Sequence, residues 1–217
     1  MCFSAPASII AGVVTSGVGV FSLKSIRRKR EIPLALIPLL FGIQQFIEGG
    51  IWLSFGHPLL NQVLTYIYIL YAHIWRPVFV PLAIFLVEDH KIAKRILFIL
   101  MLIGFGFGIY LTVFKLLGPV SSSVVNNCIV YVGNNQISET VFGFYMLATC
   151  TSCFISSHVY IRIFGIGTMI AAYVSYLFYA YAFTSVWCFF AAILSFIIFF
   201  HFKKVPEKIV NTEKILL

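Results

Sequence analysis

A few polar side chains inside long apolar stretches carry the chemistry of this chain. Glu48, His73 and Arg76 are the titratable groups that lie well within such stretches. A carboxylate, an imidazole and a guanidinium could form an ion pair, hold a metal ion or bind a polar ligand. Because a charged side chain at the centre of a spanning helix costs about 2.5–3.5 kcal/mol, each must face a partner, a cavity or water.

The residues around Glu48 add polar groups on the same side of a helix. Gln44, Gln45, Glu48 and Trp52 recur at the i, i+3 and i+4 spacing that places side chains on one face. Two amides, a carboxylate and an indole N–H are therefore expected to converge there.

A second polar face is predicted on the next apolar stretch, where Tyr66, His73, Arg76 and Pro77 recur at helical spacing. Pro77 has no N–H and frees the backbone carbonyl one turn earlier, at His73. At about 1.5 Å per residue, Glu48 and His73 both lie about 22 Å above the inner membrane boundary. The sequence therefore predicts a polar pocket between the second and third spans, near the outer face.

Two interpretations of this pocket stay open. It could be a structural pair, Glu48 with Arg76 or with His73, that fixes how the helices pack. It could instead bind a ligand, because the polar groups outnumber what packing requires. The candidate ligand-pocket residues are Gln44, Gln45, Glu48, Trp52, Tyr66 and Arg76.

The five cysteines fall into two groups. Cys2 and Cys128 are predicted on the outer, oxidising side, where they could form a disulfide. Cys150 and Cys153 have the C-x-x-C spacing of redox and metal sites, but without a second cysteine pair they are interpreted as small packing residues. Cys188 is predicted in the outer third of the last span.

Cys2 could alternatively bind a metal ion. Removal of the initiator Met would leave an amine and a thiol on one residue, a good bidentate N,S donor. Together with Glu48, His73 and Cys188 it gives a thiolate, carboxylate and imidazole set that suits copper or zinc. The predicted cofactor is therefore copper or zinc.

The composition predicts the kind of secondary structure that positions these residues. Of 217 residues, 61% are hydrophobic and 10% are charged, whereas soluble domains are about 45–50% apolar and about 25% charged. This excludes a soluble globular fold and predicts an all-α, polytopic membrane helix bundle. Seven transmembrane helices are expected over residues 5–23, 33–56, 62–87, 96–117, 139–157, 161–180 and 183–202. Only Tyr181 to Ser185 marks the last junction, so a six-span arrangement stays open.

The basic residues predict the orientation of this bundle. In the seven-span arrangement, all of the 15 Lys and Arg residues except Arg76 and Lys115 fall on one side. The positive-inside rule then places the N-terminus outside and the C-terminus inside a cell inner (plasma) membrane. The net charge of +8 is therefore an orientation signal, so the expected partners are the lipid bilayer and a small ligand or metal ion, and no nucleic acid.

The predicted domain organisation is simple. Residues 1–202 form the seven-helix domain, with an outer loop over 118–138 that is interpreted as a lid-like loop or small hairpin. Residues 203–217 form a short basic tail on the inner membrane surface. The sequence leaves the oligomeric state open.

Four stretches occur in an order that resembles a known family. They are Met1-Cys2-Phe3-Ser4-Ala5, the run from Leu40 to Gly49, Tyr71-Ala72-His73-Ile74-Trp75, and the run from Ser185 to Ala192. In that order they resemble a family of small, functionally uncharacterised prokaryotic multi-pass membrane proteins that open with Met-Cys-Phe-Ser-Ala. Many relatives have Trp-Pro after the span-3 His, where this chain has Trp75-Arg76-Pro77. The resemblance implies no activity, but its motif residues include Cys2, Gln45, Glu48, His73, Trp187 and Cys188.

Several functions compete at this stage. A metal-binding membrane protein could sense, store or move copper or zinc. Seven spans also suit a SWEET-like small-solute transporter, although no polar motif is matched in both halves. A membrane-embedded zinc hydrolase of the alkaline-ceramidase type would be expected to show a His-x-x-x-His pair on the last helix, where this chain has His201 alone. Retinal is not expected as a cofactor, because the last span has no Lys before Lys203. A structural protein is the remaining alternative.

Overall fold

The computed structural model describes residues 4–116, 118–133 and 139–204. Its α-helices are α1 (Ala5–Lys24), α2 (Ile32–Leu53), α3 (Pro58–Leu70), α4 (Arg76–Val87), α5 (Lys91–Leu116), α6 (Glu139–Met146), α7 (Ser152–Ile155), α8 (Val159–Tyr179), α9 (Phe183–Leu194) and α10 (Phe196–Lys204). Short 3₁₀ turns cover Lys29–Glu31 and Ala180–Ala182, and π-helical turns cover Tyr71–Trp75 and Leu147–Thr151. Strands β1 (Val120–Val125) and β2 (Cys128–Gly133) form an antiparallel hairpin. The predicted all-α class is confirmed.

The surface of the bundle is apolar. Within the described residues, four helical segments are long and apolar enough to cross a membrane, or five if α3 and α4, bent by 42°, count as one span. The four are Ala5–Lys24, Lys29–Leu53, Lys91–Leu111 and Val159–Lys203. Large side chains such as Ile10 and Phe178 are 63% and 71% exposed. These features indicate a membrane protein, because water would penalise so much apolar surface.

Small residues form the tight contact between α1 and α2. The buried residues of α1 are Ser8, Gly12, Thr15, Gly19 and Ser22, while its large side chains face outward. A Cβ atom on Gly19 would collide with the backbone of Leu39. This is how helices pack in lipid, where close backbone approach replaces burial of large side chains.

The α3–α4 and α6–α7 pairs are each interrupted by a π-helical turn, and a hydrogen bond joins the two interruptions. Pro77 lacks an N–H, so the carbonyls one turn before it lose a backbone donor. The Tyr145 hydroxyl, next to the second π turn, donates to the Ala72 carbonyl at 2.8 Å. Gly104 of α5 lies directly against the Pro77 carbonyl.

The last helices fold back on one another at residues 180–182. The 3₁₀ turn Ala180–Ala182 separates α8 from α9. The rings of His158, before α8, and His201, in α10, are 4.8 Å apart. Arg30 is joined to Asp89 at the same end of the bundle. The junctions that the sequence placed on the inner side therefore meet at one end, which we call the basic end.

The hairpin lies at the opposite end, on α3. Asn126 and Asn127 form its turn with positive φ angles of 48° and 57°, as two-residue hairpin turns require. Thr65 donates to the Ser122 hydroxyl at 3.0 Å, and that hydroxyl donates to Asn61 at 2.8 Å. The small hairpin expected within loop 118–138 is present, and residues 134–138 lie outside the described chain.

Candidate functional site

Glu48 is fully buried on α2, one helical turn beyond the two glutamines. Its Oε1 atom accepts hydrogen bonds from the Ser185 hydroxyl at 2.5 Å and the Tyr131 hydroxyl at 3.2 Å. Ser185 belongs to α9 and Tyr131 to β2, so this carboxylate joins α2 to the last helices and to the hairpin.

Two tyrosines close this region on the hairpin side. The rings of Tyr68 and Tyr131 stack with centroids 4.5 Å apart. Burial and the nearby charge of Glu48 raise the pKa of Tyr131 well above its ordinary value. Tyr131 therefore stays protonated and donates to the carboxylate at any physiological pH.

Arg76 lies one helix away, with 4% of its surface exposed. One of its terminal nitrogens donates to the Cys188 sulfur. Its guanidinium carbon lies 5.0 Å from the Trp187 ring centroid and 5.5 Å from that of Phe41, at cation–π distance. The Nε atom of Arg76 is buried and has no hydrogen-bond partner in the described part of the chain.

The amides of Gln44 and Gln45 are buried without hydrogen-bond partners in the described part of the chain. Both side chains are fully buried. Their nitrogen and oxygen atoms form no hydrogen bond with any described residue. A buried amide without partners costs about 1–3 kcal/mol per group, and such groups in a folded protein call for a bound water, ion or ligand. We call Gln44, Gln45, Glu48, Arg76 and Cys188 the central cluster.

The structure thus brings part of the predicted site together on the interior faces of α2, α4 and α9. Two other predicted pocket residues serve the hairpin end. The Tyr66 hydroxyl donates to the Gly118 carbonyl and accepts from the Val120 N–H, both at 3.3 Å. The half-buried Trp52 ring packs edge-to-face on Phe55 at 6.2 Å.

The His73 ring lies 6.3 Å from the ring of the buried Tyr145. Its Nδ1 atom lies 3.2 Å from the Ile69 carbonyl, and the side chain is half-buried. Ala72, its neighbour in the chain, and Tyr68 are almost fully buried, and a π turn over Tyr71–Trp75 follows α3.

The predicted metal ligands are not assembled in the described part of the chain, which contains no group of three or more His, Cys, Asp or Glu residues able to hold a metal ion. Cys2 lies outside the described residues. Cys128 is disulfide-bonded, while Cys150, Cys153 and Cys188 are free. Copper or zinc binding therefore stays a prediction.

A second buried carboxylate, Glu88, was not selected from the sequence because it follows the last residue of a predicted span. It is fully buried at the basic end. Its Oε1 accepts from the His90 N–H at 3.0 Å and the Ser157 hydroxyl at 2.7 Å. Its Oε2 accepts from the Ser157 N–H at 2.8 Å and the Ser156 hydroxyl at 3.3 Å. The sequence feature that could have indicated this site is the serine pair Ser156-Ser157 at the end of one predicted span, together with the acidic Glu88 at the end of another.

Sequence reasoning also missed Tyr68, Tyr131 and Ser185, which complete the surroundings of Glu48. Ser185 was used only to mark a junction, and Tyr131 only as part of a β-prone loop. Their approach to Glu48 depends on tertiary packing, which periodicity along one segment does not show.

Fold and site together indicate a helical membrane protein with a buried polar cluster, in which the Gln44 and Gln45 amides have no hydrogen-bond partner among the described residues. The chain belongs to a family of unknown function (DUF6629), whose model matches residues 1–212. This confirms the expected membership of an uncharacterised family. No curated protein and no solved structure matches the chain.

Proposed function

We propose that the protein binds a small polar ligand inside the membrane, at the central cluster. The observation that carries this proposal is the pair of fully buried amides, Gln44 and Gln45, with no hydrogen-bond partner among the described residues. Two such amides at adjacent positions would destabilise the fold if their role were only structural, because apolar residues of similar size would pack there without that cost.

The chemistry of the central cluster narrows the kind of ligand. Each glutamine amide offers both a donor and an acceptor, and Arg76 adds a donor at Nε. Arg76 and Glu48 also place opposite charges on neighbouring helices. A compact neutral or zwitterionic solute with both donors and acceptors would satisfy these groups. No observation in the described residues favours a transporter or a zinc hydrolase over simple binding.

The test is the double variant Gln44→Leu with Gln45→Leu. Native mass spectrometry of wild-type protein, released gently from detergent, is expected to show a bound small molecule at one per chain. The double variant is expected to lose that molecule while unfolding at the same temperature or higher, because the apolar side chains remove unpaired amides.

Gln62→Leu is the matched control, because this substitution is the same chemical change at an exposed position of α3. It should keep the bound mass. The proposal would be overturned if the wild-type protein carried no bound molecule and the double variant were more stable. The amides would then be unpaired in the native protein itself.

The copper or zinc alternative, through Cys2, Glu48, His73 and Cys188, competes with the disulfide. Cys128 is disulfide-bonded and three of the other four cysteines are free. We therefore expect peptide mapping under non-reducing conditions to recover a Cys2–Cys128 linked pair. Elemental analysis showing stoichiometric copper or zinc, lost in His73→Ala, would instead favour the metal site.

We also propose seven crossings of a prokaryotic plasma membrane, with the N-terminus outside and the C-terminus inside. The support is the meeting of the basic junctions at one end of the bundle and the hairpin at the other. The α6–α7 pair and the broken α9–α10 pair would each complete one crossing. A membrane-impermeant maleimide should label Asn126→Cys from outside in intact cells, and Lys91→Cys only after permeabilisation.

A further inference from the structure

The basic end of the bundle contains a cavity separate from the central cluster. It opens between the 25–31 junction, the end of α4, the start of α8 and α10, and has a volume of about 130 Å³. Its basic lining residues are Arg27, Arg28, Arg30, His158 and His201. Three separate segments, the 25–31 junction, the start of α8 and α10, thus contribute basic residues to one cavity.

The acidic residues of this cavity already bind other groups. The Glu31 carboxylate accepts the backbone N–H groups of Arg27 and Arg28, at 2.8 Å and 3.2 Å. The Asp89 carboxylate accepts two hydrogen bonds from the Arg30 guanidinium, at 2.6 Å and 2.9 Å. Three guanidiniums and two carboxylates line the cavity, so its charged side chains leave an excess of positive charge.

His201 is a second, independent sign of a ligand. It is 6% exposed, lines the cavity, and forms no hydrogen bond with any described residue. Its neighbour His158 places Nε2 3.2 Å from the Val87 carbonyl, so that nitrogen carries the proton. A nearly buried imidazole without a polar partner in a basic cavity is suited to donate to an anion.

We propose that this cavity binds a phosphate-type anion. Arg27 forms no ion pair through its guanidinium in the described part of the chain, and guanidinium groups match the geometry of phosphate oxygens. His201 would approach the anion from the opposite side of the cavity. The same chemistry fits a phospholipid headgroup at the membrane surface or a free phosphate or phosphomonoester.

The experiment measures both sources with the full-length protein. Delipidated protein in a zwitterionic detergent is titrated with radiolabelled inorganic phosphate, and protein in phosphatidylcholine nanodiscs containing a tenth phosphatidic acid is assayed for retained lipid by native mass spectrometry. Arg27→Gln and His201→Gln are each expected to weaken the bound species about tenfold, through loss of one charge-assisted hydrogen bond. Lys91→Gln, a basic position at the same end but outside this cavity, is expected to have no effect.

Binding of inorganic phosphate that Arg27→Gln weakens supports the proposal with a free anion as the source. Retention of phosphatidic acid that Arg27→Gln abolishes, without phosphate binding, supports it with a lipid headgroup as the source. Binding of neither species, or equal loss in Lys91→Gln, overturns it. Arg27 is exposed, so this variant decides the outcome even if His201→Gln fails to fold. None of these outcomes depends on the ligand of the central cluster.

Discussion

Glu48 and Glu88, the two fully buried carboxylates among the described residues, have different surroundings. Glu88 accepts four hydrogen bonds, two of them from backbone N–H groups. Glu48 accepts from two hydroxyls at one oxygen, and the two amides on the preceding turn have no partner among the described residues.

This difference separates a structural polar cluster from a binding one. A carboxylate whose oxygens are filled by its own chain has no capacity left for a ligand, and it stabilises the fold. A cluster that leaves donors and acceptors unused loses stability and gains the ability to bind. Glu88 therefore holds the α4–α5 junction against the start of α8. The central cluster is the candidate site of function.

The largest expected effect is that of Glu88→Gln. Each Glu88 oxygen accepts a backbone N–H, from His90 at Oε1 and Ser157 at Oε2. The glutamine NH₂ group would have to face one of these donors in either orientation. We expect a loss of about 2–3 kcal/mol in the free energy of unfolding, as for other hydrogen bonds to a charge, measured by denaturant titration in detergent. A change below half of that would mean that the four hydrogen bonds to Glu88 contribute little to the stability of the fold.

The same carboxylate predicts how stability depends on pH. Burial by itself raises the pKa of Glu88. The hydrogen bonds from Ser157 and His90 and the nearby His158 lower it by more, so the pKa of Glu88 lies below its ordinary value of 4.5. A depressed carboxyl pKa stabilises the fold above the unfolded value, and this stability is lost as the pH falls through the native value. Thermal unfolding should show wild-type protein losing stability below about pH 4.5, and Glu88→Gln losing less.

A smaller effect is expected where α5 supports the segment that carries Arg76. A Cβ atom on Gly104 would collide with the Pro77 carbonyl, whereas one on Gly106 would meet nothing within 4 Å. Gly104→Ala should therefore cost about 1–3 kcal/mol through overpacking, and Gly106→Ala, the control on the same helix, should be neutral or stabilising. Thermal unfolding of the two variants measures this. Equal melting temperatures would show that the α4–α5 contact is not tight.

Tyr145→Phe should have an effect of about 1–2 kcal/mol, because the buried Ala72 carbonyl would lose its hydroxyl donor at 2.8 Å. This change tests whether the π turn near the central cluster is held by the second π turn. Hydrogen exchange should increase at residues 71–76 and stay unchanged around Glu88. Faster exchange at both places would contradict the separation of the two clusters.

The sequence was sufficient for the parts of the fold that depend on local pattern. Apolar runs predicted the helical class, and paired asparagines marked the hairpin turn. Gln44, Gln45 and Glu48 were selected because one regular helix carries them at i, i+1 and i+4. In each case the signal lies within one segment and follows its ordinary period.

The parts that could not be predicted depend on irregular backbone or distant contacts. The π turn at Tyr71–Trp75 interrupts the regular helical period from which His73 and Arg76 were predicted to share one face. Pro77 was a visible cause of irregularity, but neither the kind nor the position of the interruption follows from one proline. Ser185, 137 residues from Glu48, approaches it through tertiary packing alone.

The smallest expected effect comes from the residue next to Glu88. Asp89 forms a bidentate pair with Arg30 at 2.6 Å and 2.9 Å, but its side chain is 65% exposed. Solvent screens such a pair, so Asp89→Asn should cost less than about 1 kcal/mol, and less again in high salt. Glu88→Gln and Asp89→Asn are the same chemical change on adjacent residues, measured by the same denaturant titration. A similar cost for both would show that charge near the basic end matters more than the donors that surround Glu88.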